Sequence, residues 1–305
     1  MSFKAIFLVF GLCCVVHSTY SEEVCKSPLT ALPPEPSTNC CGTQGPTATK
    51  LMPFTSASIH QYPWVVLIEY LNKDNVAKTP CHGVLISGQY VLTAGHCVTA
   101  VSSIGTPTNI ILGEYDTTHE GPDCLSGSSS GEDCTEGAIK IPVEAIILHP
   151  DFNKTPVPTN DIALIKMKNV ALYSDFIRPI CLPTEDITQR TGTIRLRETG
   201  WGGIGIDQRN NTMKQFVNIP YVSRDECEAA FKNKFKLDKS HLCAGGQVLS
   251  SFCRASSGSP LMFQKNKYYL AGISSFGTYP CDINIPAVYT NVYEYVSWIK
   301  NTISA

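Results

Sequence analysis

The sequence predicts an all-β protein, built as antiparallel Greek-key barrels and closed by one C-terminal helix. Short runs rich in Val, Ile, Leu and Tyr are punctuated by Gly, Pro and Asn, the pattern of strands joined by tight turns. Hydrophobic residues make up 43% of the 305 residues, enough for a sizeable core. Only the end changes period: Val292, Val296, Ile299 and Ile303 recur at helical spacing, which predicts an amphipathic helix over Val292–Ile303.

The chain divides into three segments. Residues 1–21 carry a lone Lys4, an apolar run from Ala5 to Val16 and then small polar residues. That is the pattern of a secretory signal peptide, too short to span a bilayer. Residues 22–50 hold Pro28, Pro33, Pro34, Pro36 and Pro46 with almost no apolar periodicity. Such a segment buries too little apolar surface to offset its chain entropy and reads as a tether. Residues 51–305 form the main domain. Its strand-like runs are Trp64–Tyr70, His82–Ile86, Tyr90–Thr93, Asn109–Leu112, Val143–Leu148 and Ile162–Met167, followed by Phe216–Tyr221, Pro260–Phe263, Tyr268–Ser274 and Ala287–Thr290.

Charge narrows the partners. Lys and Arg number 24 against 26 Asp and Glu, so nothing points to nucleic acid or an anionic membrane. Of the 14 cysteines, Cys13 and Cys14 fall in the signal segment, and 14 less 2 leaves an even 12 for a secreted, disulfide-bonded protein. No paired Cys-x-x-Cys or short His spacing supports a metal centre in their place. Asn153-Lys154-Thr155 and Asn210-Asn211-Thr212 are N-glycosylation sequons at Asn153 and Asn210.

Three short stretches carry chemistry: Thr93-Ala94-Gly95-His96-Cys97, Asn160-Asp161-Ile162-Ala163-Leu164 and Cys253-Arg254-Ala255-Ser256-Ser257-Gly258-Ser259-Pro260. They supply His96, Asp161 and Ser257 in the order His, Asp, Ser. A histidine is needed to take and return the serine proton, and an acid to hold its tautomer. With these residues the chain resembles the trypsin/chymotrypsin family of serine proteases over residues 51–305. The spacing from Leu51 to Pro63-Trp64 also equals the family's, which puts Lys50-Leu51 where zymogens are cut. The resemblance implies two barrels, His96 and Asp161 on the first and Ser257 on the second, with no cofactor required. The tether resembles the truncated tail of a clip domain, the module preceding the protease in many arthropod cascade enzymes.

The resemblance also implies pairings Cys81–Cys97, Cys124–Cys134, Cys227–Cys243 and Cys253–Cys281. It leaves Cys181 with Cys25, Cys40 and Cys41; Cys41–Cys181 with Cys25–Cys40 is preferred, and sequence alone leaves the choice open. A tether cysteine on Cys181 would keep the light chain attached after cleavage. A loop beginning like Gly113-Glu114-Tyr115-Asp116 binds Ca²⁺ in related proteases, which makes Glu114 and Asp116 candidate ligands; a solvated acidic loop is the competing reading.

Departures from the family pattern bear on activity. The family's Gly-Asp-Ser-Gly-Gly-Pro is changed at three positions. Ala255 stands where a glycine N–H is, with that of Ser257, an oxyanion donor. Ser256 replaces the Asp that pairs with the new α-ammonium after activation. That new terminus would read Leu51-Met52-Pro53-Phe54, with a fixed φ at Pro53 and a bulky Phe54 where the family has glycines. In the substrate pocket, Ser251 takes the floor position, Phe252 follows it, Ala287 replaces a wall glycine and Gly277 keeps the other wall open. Ser251 removes the counter-charge for Arg or Lys, so an apolar side chain is expected there, unless Phe252 fills the slot.

These observations lead to two expectations. One is a secreted serine protease homologue of an extracellular, immune or melanisation-type cascade, weakly active or inactive, whose partners are protein substrates or cascade proteases. The other is an active secreted endopeptidase with apolar preference.

Overall fold

In the computed structural model, residues 25, 31–45, 56–100, 104–128, 131–153, 157–204, 212–246, 252–254, 257–278, 282 and 284–305 are described. The signal segment, Lys50, Leu51, Asn210, Ser251, Ala255, Ser256 and Cys281 lie outside them.

Largely buried strands close into two antiparallel barrels of six strands each, as expected from the strand runs. The first contains β1 (Val65–Leu71), β2 (Ala77–Leu85), β3 (Tyr90–Thr93) and β4 (Thr106–Leu112). A polar hairpin, β5 (Cys124–Ser128) and β6 (Gly131–Cys134), leads to β7 (Ile139–Leu148) and β8 (Ala163–Met167), which close the barrel in the order β1-β2-β3-β8-β7-β4. The second barrel uses β9 (Arg195–Gly200), then, after β10 (Gly203–Ile204), β11 (Gln215–Val222) and β12 (His241–Gly245). The short β13 (Phe252–Arg254) pairs with β10, and β14 (Pro260–Gln264), β15 (Tyr268–Phe276) and β16 (Pro286–Asn291) complete the order β11-β12-β16-β15-β14-β9.

Helices are few. α1 (Gly95–Thr99) follows β3, and α2 (Arg224–Ala230) begins at a Ser223–Glu226 capping box, each side chain bonding the other's backbone amide. The C-terminal prediction divides in two: a 3₁₀ turn over Val292–Tyr295 runs into α3 (Val296–Ser304), which buries Ile299 and Ile303.

The tether is held on the domain. Disulfides join Cys25 to Cys40 and Cys41 to Cys181. Gly42 donates to Pro179 O and accepts from Tyr268 N (both 2.9 Å), so the tether adds backbone pairing beside its covalent link. Lys300 Nζ reaches Glu35 at 2.8 Å from α3. Within the domain, disulfides join Cys81 to Cys97, Cys124 to Cys134 and Cys227 to Cys243. The Cys253–Cys281 expectation falls outside the described residues, as does the Asn210 sequon; Asn153 is exposed.

Candidate active site

His96 stands on the first turn of α1, immediately after β3. Gly95 lets the chain approach closely there, since a Cβ would lie 3.0 Å from Leu148 Cδ1, 3.1 Å from Phe152 Cδ2 and 3.2 Å from the Ile162 backbone nitrogen. The close approach seats α1 against the segment leading into β8, where Asp161 sits. Asn160 precedes it in the left-handed region (φ 51°), a conformation asparagine tolerates. Asn160 is fixed by donating to Asp151 O and accepting from the Tyr295 hydroxyl, both at 2.9 Å.

This geometry brings His96 and Asp161 together. The Asp161 Oδ1 accepts the His96 backbone N–H at 2.7 Å, and Oδ2 pairs with Nδ1 at 2.8 Å. Ser275 on β15 also donates to Oδ2, and Thr290 donates to the Asp161 carbonyl at 2.7 Å. Asp161 is 1% exposed. Burial is the largest influence on its carboxyl and opposes ionisation. The His96 hydrogen bond and charge, with the Ser275 hydroxyl, outweigh it and hold the carboxyl below its ordinary value. An ionised acceptor at Nδ1 places the ring proton there and leaves Nε2 free to act as a base.

Ser257 hangs between the barrels by its backbone. Its carbonyl accepts the His82 N–H of β2 at 2.8 Å, and the next amide, Gly258, donates to Ser274 O of β15 at 3.0 Å. Gly258 has φ +80°, and a Cβ would fall 2.2 Å from His82 O and 2.5 Å from Thr93 Oγ1. Glycine is therefore obligatory at this crossing point. Among the described residues no hydrogen bond joins Ser257 Oγ to His96 Nε2. Such bonds often tighten only once a substrate is bound.

Behind the serine lies a histidine that the sequence reading assigned only to a strand. His82 is 2% exposed, and its ring stacks on Trp201 with centroids 5.8 Å apart and planes 3° apart. Its Nε2 accepts the Trp201 N–H at 3.4 Å. Burial pushes its imidazole down to about 4, against the opposing effect of the bond with the Ser257 backbone. Ser275 was also missed: it lies just past the end of a predicted strand, and no local motif marks a serine that reaches a distant carboxylate.

The other candidates are placed unevenly. Ala287 is half-buried on β16, and Gly277 is exposed with open space around it. Phe252 lies on β13, and its side chain is outside the description. The acidic loop buries Asp123, leaves residues 117–122 exposed and spends its carboxylates on its own backbone. Glu114 accepts the Tyr115 amide at 2.9 Å, Asp123 accepts the Asp116 amide at 3.1 Å, and Asp116 accepts the Thr118 amide at 3.2 Å. Burial pushes the ammonium of Lys214 down to about 8, while neighbouring Glu114 and Asp123 pull it back up. Among the described residues no three side-chain ligand atoms converge at Glu114 and Asp116. Those that converge elsewhere, on Cys81, His96 and Cys97, include a disulfide and so offer no thiolate.

Comparison with known proteins agrees with this geometry. The sequence model described as "Trypsin" matches residues 53–299. A phenoloxidase-activating enzyme of Bombyx mori is 45% identical over 92% of this chain and 67% of its own length. Melanization protease 1 of Drosophila melanogaster is 36% identical over 80% of this chain and 63% of its own. The chain thus spans about two thirds of these relatives. Among solved structures, the Drosophila Grass clip serine protease of the Toll pathway superposes with a TM-score of 0.73 at 28% identity, covering 87% of this chain and 75% of that one.

Proposed function

Because the chain belongs to the trypsin family of serine proteases and is related to cascade proteases of melanisation, we propose that it is a secreted, weakly active or inactive member of such a cascade. In the reaction the fold is built for, His96 Nε2 takes the Ser257 proton as Oγ attacks a peptide carbonyl, and Asp161 stabilises the imidazolium that forms. No cofactor enters that chemistry. The assembled His96–Asp161–Ser275 network supports these roles.

The observation that carries the reading is that this pair is intact while the residues serving the oxyanion are altered. Ala255 stands at the position of one oxyanion donor, and loss of one such donor typically lowers kcat by about 10²–10³-fold. Ser256 removes the carboxylate half of the charge pair that shapes the hole after activation, and Met52-Pro53-Phe54 hinder insertion of the Leu51 ammonium, the other half. Breaking a buried pair of that kind costs about 3–5 kcal/mol. We further propose that residues 1–21 direct secretion, and among the described residues no helix is long and apolar enough to cross a membrane. Cleavage after Lys50 would leave residues 22–50 as a light chain held through Cys41–Cys181. Partners would be protein substrates or other proteases of the cascade.

The intact network favours one rival, an ordinary active endopeptidase. A fluorophosphonate probe decides between them. Lys50-cleaved protein is expected to label far more slowly than an ordinary protease, with no signal from a Ser257→Ala control. Rapid labelling would establish the rival.

A further inference from the structure

Asp161 leads into β8 of the first barrel, yet the second barrel holds it. The β8 ladder starts at Ala163, two residues beyond Asp161, where it pairs with Thr93 and Leu148. The position of Asp161 is therefore set by residues 157–160 before it and by the side chains that reach them. On the first-barrel side, Thr159 and Asn153 exchange backbone bonds at 2.8 and 3.1 Å. From the second barrel, Ser275 donates to Asp161 Oδ2, Thr290 to the Asp161 carbonyl at 2.7 Å, and His241 Nε2 to the Pro158 carbonyl at 2.9 Å. His241 of β12 and Thr290 of β16 are direct cross-strand partners, and Ser275 lies two residues from Ile273, which faces Thr290 on β15. Three adjacent strands thus converge on one short segment. His241 is 4% exposed, and Asp238 Oδ1 lies 2.9 Å from its Nδ1 on the other side of the ring. A carbonyl can only accept, so Nε2 carries the proton of the Pro158 bond.

We propose that His241 is a positioning residue for the His96–Asp161 pair, donating from the second barrel to the segment that carries the acid. The inference rests on the protease reading, which gives Asp161 its task of holding the imidazole. A single bond at the Asp161 carbonyl leaves the backbone free to turn about that point. A second bond at Pro158, three residues back, removes that freedom, while the Tyr295 hydroxyl holds the Asn160 side chain between them. Pro158 has a fixed φ and no N–H, so its carbonyl is the backbone group by which it can be held. With the segment fixed at both ends, the carboxylate can present Oδ1 to the His96 amide and Oδ2 to Nδ1 together. His241 touches none of the reacting atoms and acts through this segment. Small displacements of a catalytic group are costly in rate even when their origin is remote, which is what such a clamp prevents.

Proton NMR of the full chain tests this without requiring turnover, because the Nδ1 proton of a histidine bonded to a buried carboxylate resonates far downfield. The wild type is expected to show such a resonance and Asp161→Asn to lose it, which assigns it to His96. His241→Phe, which keeps a ring and removes the donor, is expected to shift or broaden the signal. His241→Gln, whose amide can still donate to Pro158, is expected to retain it unchanged. His241→Asn, too short to reach Pro158, serves as the second variant if His241→Phe misfolds. A merely structural role would lower the urea midpoint and leave the resonance of the folded protein in place. An unchanged resonance in folded His241→Phe, the same change in His241→Gln, or no such resonance in the wild type would overturn the proposal. Fluorophosphonate labelling of the same samples keeps the two readings separate. Rapid labelling of wild type together with the shift in His241→Phe overturns the low-activity reading and supports the clamp. Slow labelling with an unshifted resonance overturns the clamp alone.

Discussion

His82 makes the stability of the nucleophile's mount depend on pH. Its imidazole is 2% exposed and is pushed by burial from 6.5 to about 4. The native state therefore prefers the neutral ring, while the unfolded chain takes up a proton below about 6.5. Where the unfolded state binds more protons, stability rises with pH. The contribution is fully present above pH 6.5 and is lost as pH falls toward and through about 4. From these two values, the loss relative to neutral pH is about 2 kcal/mol at pH 5 and about 3 kcal/mol at pH 4. Urea unfolding of wild type and His82→Gln at pH 7 and pH 5 isolates the effect. The variant loses the Trp201 stack at both pH values, and carboxylates elsewhere titrate alike in both proteins, so the double difference reports His82 alone. The expected result is a wild type that loses about 2 kcal/mol more than the variant between pH 7 and pH 5. An identical loss in both proteins would refute the argument and would mean that the ring reaches solvent or is protonated in place.

Three further variants have expected outcomes. Gly258→Ala should destabilise by more than about 2 kcal/mol, since it adds left-handed strain to a Cβ 2.2 Å from His82 O; an unchanged denaturation midpoint would show that this crossing relaxes. Cys41→Ser with Cys181→Ser opens a link spanning 140 residues and should cost about 4–5 kcal/mol on the chain-entropy view. The same variant, once cut after Lys50, should release its light chain on a non-reducing gel, where wild type stays as one band until reduced. Ala255→Gly with Ser256→Asp, combined with Leu51→Ile, Met52→Val, Pro53→Gly and Phe54→Gly, should raise kcat/KM for an ester by more than the product of the separate gains, because the two halves form one switch; strictly multiplicative gains would refute the coupling.

The legible parts of the fold were those whose burial pattern is local. Strands such as β3 and β8 read directly because Val91, Leu92, Leu164 and Ile165 are buried in consecutive runs. β9 was not predicted: Arg195-Leu196-Arg197-Glu198-Thr199-Gly200 shows charge at alternate and inward positions alike, and only closure of the barrel shows Glu198 to be inside. β12 was missed for a related reason, since His241 is buried at 4% exposure and donates from Nε2 to Pro158 O at 2.9 Å rather than marking a turn. The hairpin β5–β6 is polar and defined by the Cys124–Cys134 link more than by side-chain preference. α2 did carry a readable signal, Ser223 followed three residues later by Glu226. The predicted C-terminal helix began too early because the periodic apolar residues start in the 3₁₀ turn.

His96 and Asp161 were readable for the same reason: each lies in a short stretch whose neighbours are set by contiguous chain. What sequence could not show is the mounting of Ser257. That mounting is made of backbone groups, His82 N–H and Ser274 C=O, from strands on opposite barrels, and backbone groups are the same whatever residue bears them. It also differs in kind from the activation switch. The proposed switch would need a carboxylate at position 256, where this chain has serine, and a free ammonium at position 51, whereas the mount depends on barrel closure and a glycine at 258. Substitutions can therefore remove the first and leave the second standing. The intact His96–Asp161 pair and the backbone mount of Ser257 are thus compatible with the low activity proposed above, since neither draws on the side chains at positions 255 and 256.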